Sequence, residues 1–194
     1  MNVDIAKILR EKNTVFSLKD LAILWQETNY ELLRARANYY VKTGQLKQVR
    51  RGIYAKSMDY EKFELACKIY KPSYISLNTV NAMNGLNFQY YSSIFLVSYL
   101  SREIKIAEQG YVYHKIKDGV LTNMKGIKNE NSYSIATLER AFLDTIYLSK
   151  DRYFDNLHPI NWDKAYDLVG IYENKKMLER LDSYYKIFKE DHIA

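Results

Sequence analysis

The chain predicts an α+β protein: an N-terminal winged helix-turn-helix over residues 1–57, then a mixed α+β domain with a small sheet over 58–194. Two observations carry this. The hydrophobic period runs at 3.6 through the first 43 residues and switches to 2 after Gly44. The charge is also split. Residues 1–56 hold 11 Lys/Arg against 5 Asp/Glu, a balance of +6, whereas the remainder holds 18 of each. The whole excess lies at one end, where no acid occurs between Glu31 and Asp59. Such asymmetry suggests a polyanionic partner met by that end.

Ile5, Ile8 and Leu9 recur at helical spacing, so Asp4 to Lys12 reads as a short amphipathic helix. Ser17 is a good N-cap for a second helix, with Asp20 at its third position and Phe16 placed to staple onto Leu21. Leu18, Leu21, Ala22 and Trp25 continue that helix to about Gln26. Thr28 and Glu31 offer a capping box for a third helix, which runs to about Thr43 with Gly44 as its left-handed stop. Tyr30, Leu33, Ala37, Tyr40 and Val41 form its apolar stripe, and Glu31, Arg34, Asn38 and Lys42 its outer face. Leu46 to Arg51, the Gly52 turn and Ile53-Tyr54-Ala55 then read as a basic hairpin, the wing.

These residues also resemble a family. Phe16-Ser17-Leu18-Lys19-Asp20-Leu21, Gly44-Gln45-Leu46 and Arg51-Gly52-Ile53-Tyr54-Ala55 are similar to the N-terminal winged domain of AbiEi-type antitoxins of type IV toxin-antitoxin (abortive infection) systems. Pro72 to Leu77 with Gly85-Leu86, and Ile135 to Asp144, extend the resemblance. It implies a transcriptional repressor that binds double-stranded DNA at an inverted-repeat operator, autoregulates its operon and opposes a nucleotidyltransferase toxin.

In the downstream region, Asp59 to Lys71 is patterned as a helix with Cys67 on its apolar side, and Ser76 is placed to cap a short helix through Met83. Ser92 to Leu100 and Tyr111 to Lys117 read as strands, and Leu121–Ile127 with Ser132–Ile135 as a hairpin. Thr137–Leu148, Trp162–Val169 and Lys175–Lys189 read as helices, with Arg140 and Asp144 an ordinary exposed pair. The many tyrosines fall mostly at apolar-face positions and are expected in cores and interfaces.

The sequence argues against several function classes. One cysteine excludes an internal disulfide and a cysteine-based zinc cluster. His114, His158 and His192 are scattered without metal spacing, and no phosphate loop, nucleophile elbow or paired metal carboxylates occur. The expectation is a non-enzyme without cofactor or metal. No apolar run approaches the length of a membrane span, and Asp4, Lys7, Arg10 and Glu11 stand where a signal peptide needs an apolar core. A cytoplasmic protein without membrane contact is expected. The candidate DNA-binding residues are Asn29, Arg34, Arg36, Asn38, Lys42, Lys47, Arg50 and Arg51. Arg34, Asn38 and Lys42 would face the major groove, while Arg50 and Arg51 would meet phosphates or the minor groove. The competing reading is a protein-interaction module whose basic winged domain holds an acidic protein. A weaker one is RNA binding.

Overall fold

The computed structural model describes residues 3–191, so His192 lies outside the described residues. The fold is α+β, with a three-stranded and a six-stranded sheet. It divides into two compact units, one reaching to Tyr70 and including Asn131–Tyr133, the other formed by Lys71–Glu130 and the residues from Ser134 onward. No described helix is long and apolar enough to cross a membrane.

The first unit comprises α1 (Val3–Arg10), β1 (Val15–Ser17), α2 (Leu18–Trp25), α3 (Tyr30–Lys42), β2 (Lys47–Arg50), β3 (Ile53–Ala55) and α4 (Lys62–Ile69). Its antiparallel sheet has the order β1-β3-β2. The expected capping box on α2 is present: the Asp20 amide donates to Ser17 Oγ at 3.2 Å and the Ser17 amide to Asp20 Oδ2 at 2.8 Å. Phe16 and Leu21 share one core with Ile8, Trp25, Leu33 and Tyr40. Phe16 does more than staple a helix, because Val15–Ser17 is a strand that pairs with β3. Three residues are too few for alternation to reveal.

The boundary falls after Tyr70 rather than at 57, because α4 belongs to the first unit. It also starts later than the pattern suggested, at Lys62, with Glu61 accepting from the Phe63 amide. Charge pairing places it there. Glu64, wholly buried, accepts from the amide and hydroxyl of Thr14 at 2.8 Å each. Lys68 reaches Asp20 at 2.8 Å. Half-burial pushes the Asp20 carboxyl up, but Lys68 and the Ser17 donors outweigh it and hold the group below the usual carboxylate range. Cys67 is buried on this helix, as its apolar position required.

The second unit contains β4 (Ser73–Ile75), α5 (Leu77–Met83), β5 (Ser93–Ser98), β6 (Arg102–Ile106), β7 (Gln109–Lys115), α6 (Asp118–Leu121), β8 (Ile127–Asn129), β9 (Ser134–Ala136), α7 (Leu138–Leu148), α8 (Trp162–Val169) and α9 (Lys175–Asp191). A turn of 3-10 helix, Gly170–Tyr172, precedes α9. The sheet order is β6-β7-β5-β4-β9-β8, with β5–β7 and β4–β9 parallel. The β6–β7 hairpin escapes sequence reading because its turn, Ala107-Glu108, lacks the Gly or Asn that marks such turns, although Ala107 takes a left-handed φ of 50°. The hairpin expected from Leu121 onward is shifted: Leu121 closes α6, and the paired strands are β8 and β9.

Helix α7 is buried without a break from Glu139 to Ile146. Arg140 and Asp144 are therefore not an exposed pair but a wholly buried one, with Nε to Oδ1 at 3.2 Å. Arg140 also donates to the carbonyls of Val120 at 2.7 Å and Lys125 at 2.9 Å. Asp144 accepts from Ser76 Oγ at 2.8 Å, Tyr74 Oη at 3.0 Å and Tyr172 Oη at 2.7 Å. Burial raises the Asp144 carboxyl, and the guanidinium with three hydroxyls opposes that. Ser76 consequently makes no side-chain cap on α5, since its hydroxyl is committed to Asp144.

Candidate nucleic-acid interface

The α2–α3 connection is tight and locked. Gln26 turns left-handed at φ 52° to end α2, and its amide caps carbonyls of that helix. Asn29 is the N-cap of α3, its Oδ1 accepting from the amides of Glu31 at 3.0 Å and Leu32 at 3.2 Å. The expected Thr28–Glu31 capping box is replaced by this Asn29 cap one residue later. Glu27 accepts from the Asn29 amide at 2.9 Å, which leaves Thr28 out of the cap.

Helix α3 buries Leu33, Ala37 and Tyr40 and turns Glu31, Arg34, Asn38 and Lys42 to solvent, spaced so that all four share one face. The Arg34 guanidinium lies 5.8 Å from the Tyr30 ring centre. Gly44, at φ 75°, supplies the left-handed stop that lets the chain leave α3 for β2. Arg36 has a different role. It projects from another side of α3, pairs with Glu27 at 3.1 Å and Asp4 at 3.6 Å, and lies 5.6 Å from the Trp25 ring centre. It fastens α3 to α1 and to the turn.

The hairpin reverses through Arg51-Gly52, with Gly52 at φ 76° and a register shift between Gln48 and Arg50. The Gly52 carbonyl accepts from the Leu18 amide at 3.1 Å, which ties the hairpin turn to the start of α2. Lys47 and Arg51 are exposed. Arg50 is half-buried instead, its Nη2 3.5 Å from Tyr70 Oη and its guanidinium 5.6 Å from that ring's centre. The eight candidates thus divide. Arg34, Asn38, Lys42, Lys47 and Arg51 present solvent-facing polar groups, whereas Asn29, Arg36 and Arg50 are engaged within the unit.

A recess of about 410 Å³ lies among the start of α2, the start of α3 and the hairpin turn, lined by Lys19, Thr28, Tyr30 and Gly52 among others. Lys19 and Tyr30 were not among the sequence candidates. One signal was available for Lys19: a cation in the first turn of a helix opposes the helix dipole, so it gains little for the helix itself.

In the second unit, His114 stacks on Phe95 with ring centres 6.2 Å apart, and half-burial lowers its pKa. His158 packs edge-on against Phe188. No group of three or more His, Cys, Asp or Glu could hold a metal among the described residues. No protein-family model matches the chain, and no curated protein matches it.

Proposed function

We propose that the first unit is a winged helix-turn-helix that binds duplex DNA, and that the protein is a transcriptional repressor of the AbiEi antitoxin type, acting in the cytoplasm and opposing a nucleotidyltransferase toxin. The observation that carries the reading is the outer face of α3. Arg34, Asn38 and Lys42 stand solvent-facing on one helix side, and Lys47 and Arg51 follow on the hairpin, in a stretch with a single acid, Glu31. A helix of this length enters the major groove, where Asn suits adenine and Arg suits guanine by donor-acceptor geometry. The hairpin cations supply backbone contacts that position the helix without reading sequence. The protein carries no catalytic role in this reading.

The test is binding of the full chain to the duplex upstream of its own gene and to random duplex, across a salt series. Asn38→Ala is expected to cost about 1–3 kcal/mol on the specific duplex and much less on random DNA. Equal affinity for both duplexes, unaffected by this substitution, overturns the assignment.

One observation favours a second reading, a basic module for an acidic protein partner. Leu32 and Tyr39, on a third side of α3, are 56% and 57% exposed. Salt-resistant binding dominated by those two residues would support it over DNA.

A further inference from the structure

We propose that a groove in the second unit binds a small organic cation, an amine or amidine carried on an apolar body. The groove encloses about 710 Å³ and is bounded by α5, β9, the first turn of α7 and α8. That volume is in the range of small-molecule sites. Val80, Ile135, Leu138 and Leu168 provide its apolar wall.

The decisive group is Glu139. It lines the groove, is only 8% exposed, and makes no hydrogen bond or ion pair with any described residue. The other two buried acids are treated differently by the fold. Glu64 accepts from Thr14 through Oε2 and has Lys68 Nζ 3.8 Å from Oε1, while Asp144 is met by Arg140 and three hydroxyls. Glu139 alone of the three has no donor among the described residues, and its oxygens keep access to the groove, where a cation can reach them. Its place in the first turn of α7 is favoured by the helix dipole, yet the dipole gives its oxygens no hydrogen bond.

The surrounding charge selects the sign of the ligand. Glu130, Asp167 and Glu139 face Lys128 and Lys164 around the groove, so the lining is net acidic. An ammonium or amidinium donating to Glu139, with its apolar body along Val80 and Leu168, satisfies the carboxylate and covers the wall together. This site does not depend on DNA binding.

The experiment uses the full chain and three probes of one size: benzamidine, benzyl alcohol and benzoate, titrated while methyl and amide NMR signals are followed. Benzamidine is expected to bind, with shifts concentrated at Ile135, Ala136 and Leu138, and the other two probes at least about tenfold more weakly, because a charge-assisted bond is lost. Glu139→Gln should weaken benzamidine by a similar factor. Met83→Trp, at an exposed rim position whose change spares the core, should block it sterically. Benzoate binding as tightly as benzamidine, shifts centred elsewhere, an unaltered Glu139→Gln titration, or no benzamidine binding up to the probe's solubility would each overturn the proposal.

Discussion

The hairpin offers the sharpest test of how this unit would meet DNA, because its three cations differ in availability. Lys47 and Arg51 are exposed, whereas Arg50 is turned onto Tyr70 and half-buried. Each phosphate contact contributes roughly 0.9 to the slope of log affinity against log salt. The double substitution Lys47→Ala and Arg51→Ala should therefore lower that slope by about 2, and weaken specific and random duplexes by similar factors. Arg50→Ala should leave the slope almost unchanged. It should instead cost about 0.5–1 kcal/mol of stability by removing the guanidinium from the Tyr70 ring. The assay is fluorescence anisotropy of a labelled duplex at several salt concentrations, paired with denaturant melts of each variant. If Arg50→Ala reduced the slope as much as Arg51→Ala, the Tyr70 contact would not be what holds Arg50. If the double variant kept the full slope, the hairpin would not touch the phosphates, and the acidic-protein reading would gain.

Other perturbations separate the two units. Arg140→Met strands the Asp144 carboxylate and should destabilise the second unit by about 3–5 kcal/mol, seen as a lowered denaturant midpoint; a loss under 1 kcal/mol would mean the network is replaceable. His114 has a folded pKa below its unfolded value, so its neutral form stabilises the fold above the unfolded pKa, and that contribution is lost as pH falls through about 6.5 and below. His114→Gln should flatten stability against pH in this window, and an unchanged profile would contradict the burial argument. For Asp20 the depressed pKa makes the contribution present above the unfolded carboxylate pKa and lost on further acidification, and Lys68→Met should reduce that acid loss, read from melts between pH 2 and about 5.

Local chemistry was legible in the sequence wherever one residue fixed the answer. Ser17 with Asp20, the Gly44 stop and the Gly52 turn all stand where their side chains or backbone freedom required. Three-residue strands were legible only beside a marked turn, as with β3 after Gly52; β1 and β4 were missed, since each takes its conformation from partners distant in sequence. The same limit hid the environment of Arg140 and Asp144. Their spacing looks like any surface pair, and only the packing of β4, α6 and the turn before α9 against α7 reveals them as buried. At the candidate interface, the outer face of α3 followed from periodicity. The engagement of Arg36 and Arg50 within the unit did not, because each is held by residues outside its own element: Asp4, Glu27 and Trp25 for one, Tyr70 for the other.

The sheet of the second unit has a kinetic consequence. The pairs β6–β7 and β8–β9 are hairpins between neighbours in the chain, which close quickly. The strand that unites them, β4, meets β9 in parallel through Ile75 and Ile135, a pairing of high sequence separation whose loop-closure entropy must be met before any contact rewards it. Joining at β4 is then the late event in assembling this sheet. The hydroxyls of Tyr74 and Ser76 reach Asp144 of α7 over a comparable sequence separation, so the buried network is complete only once β4 and α7 have met.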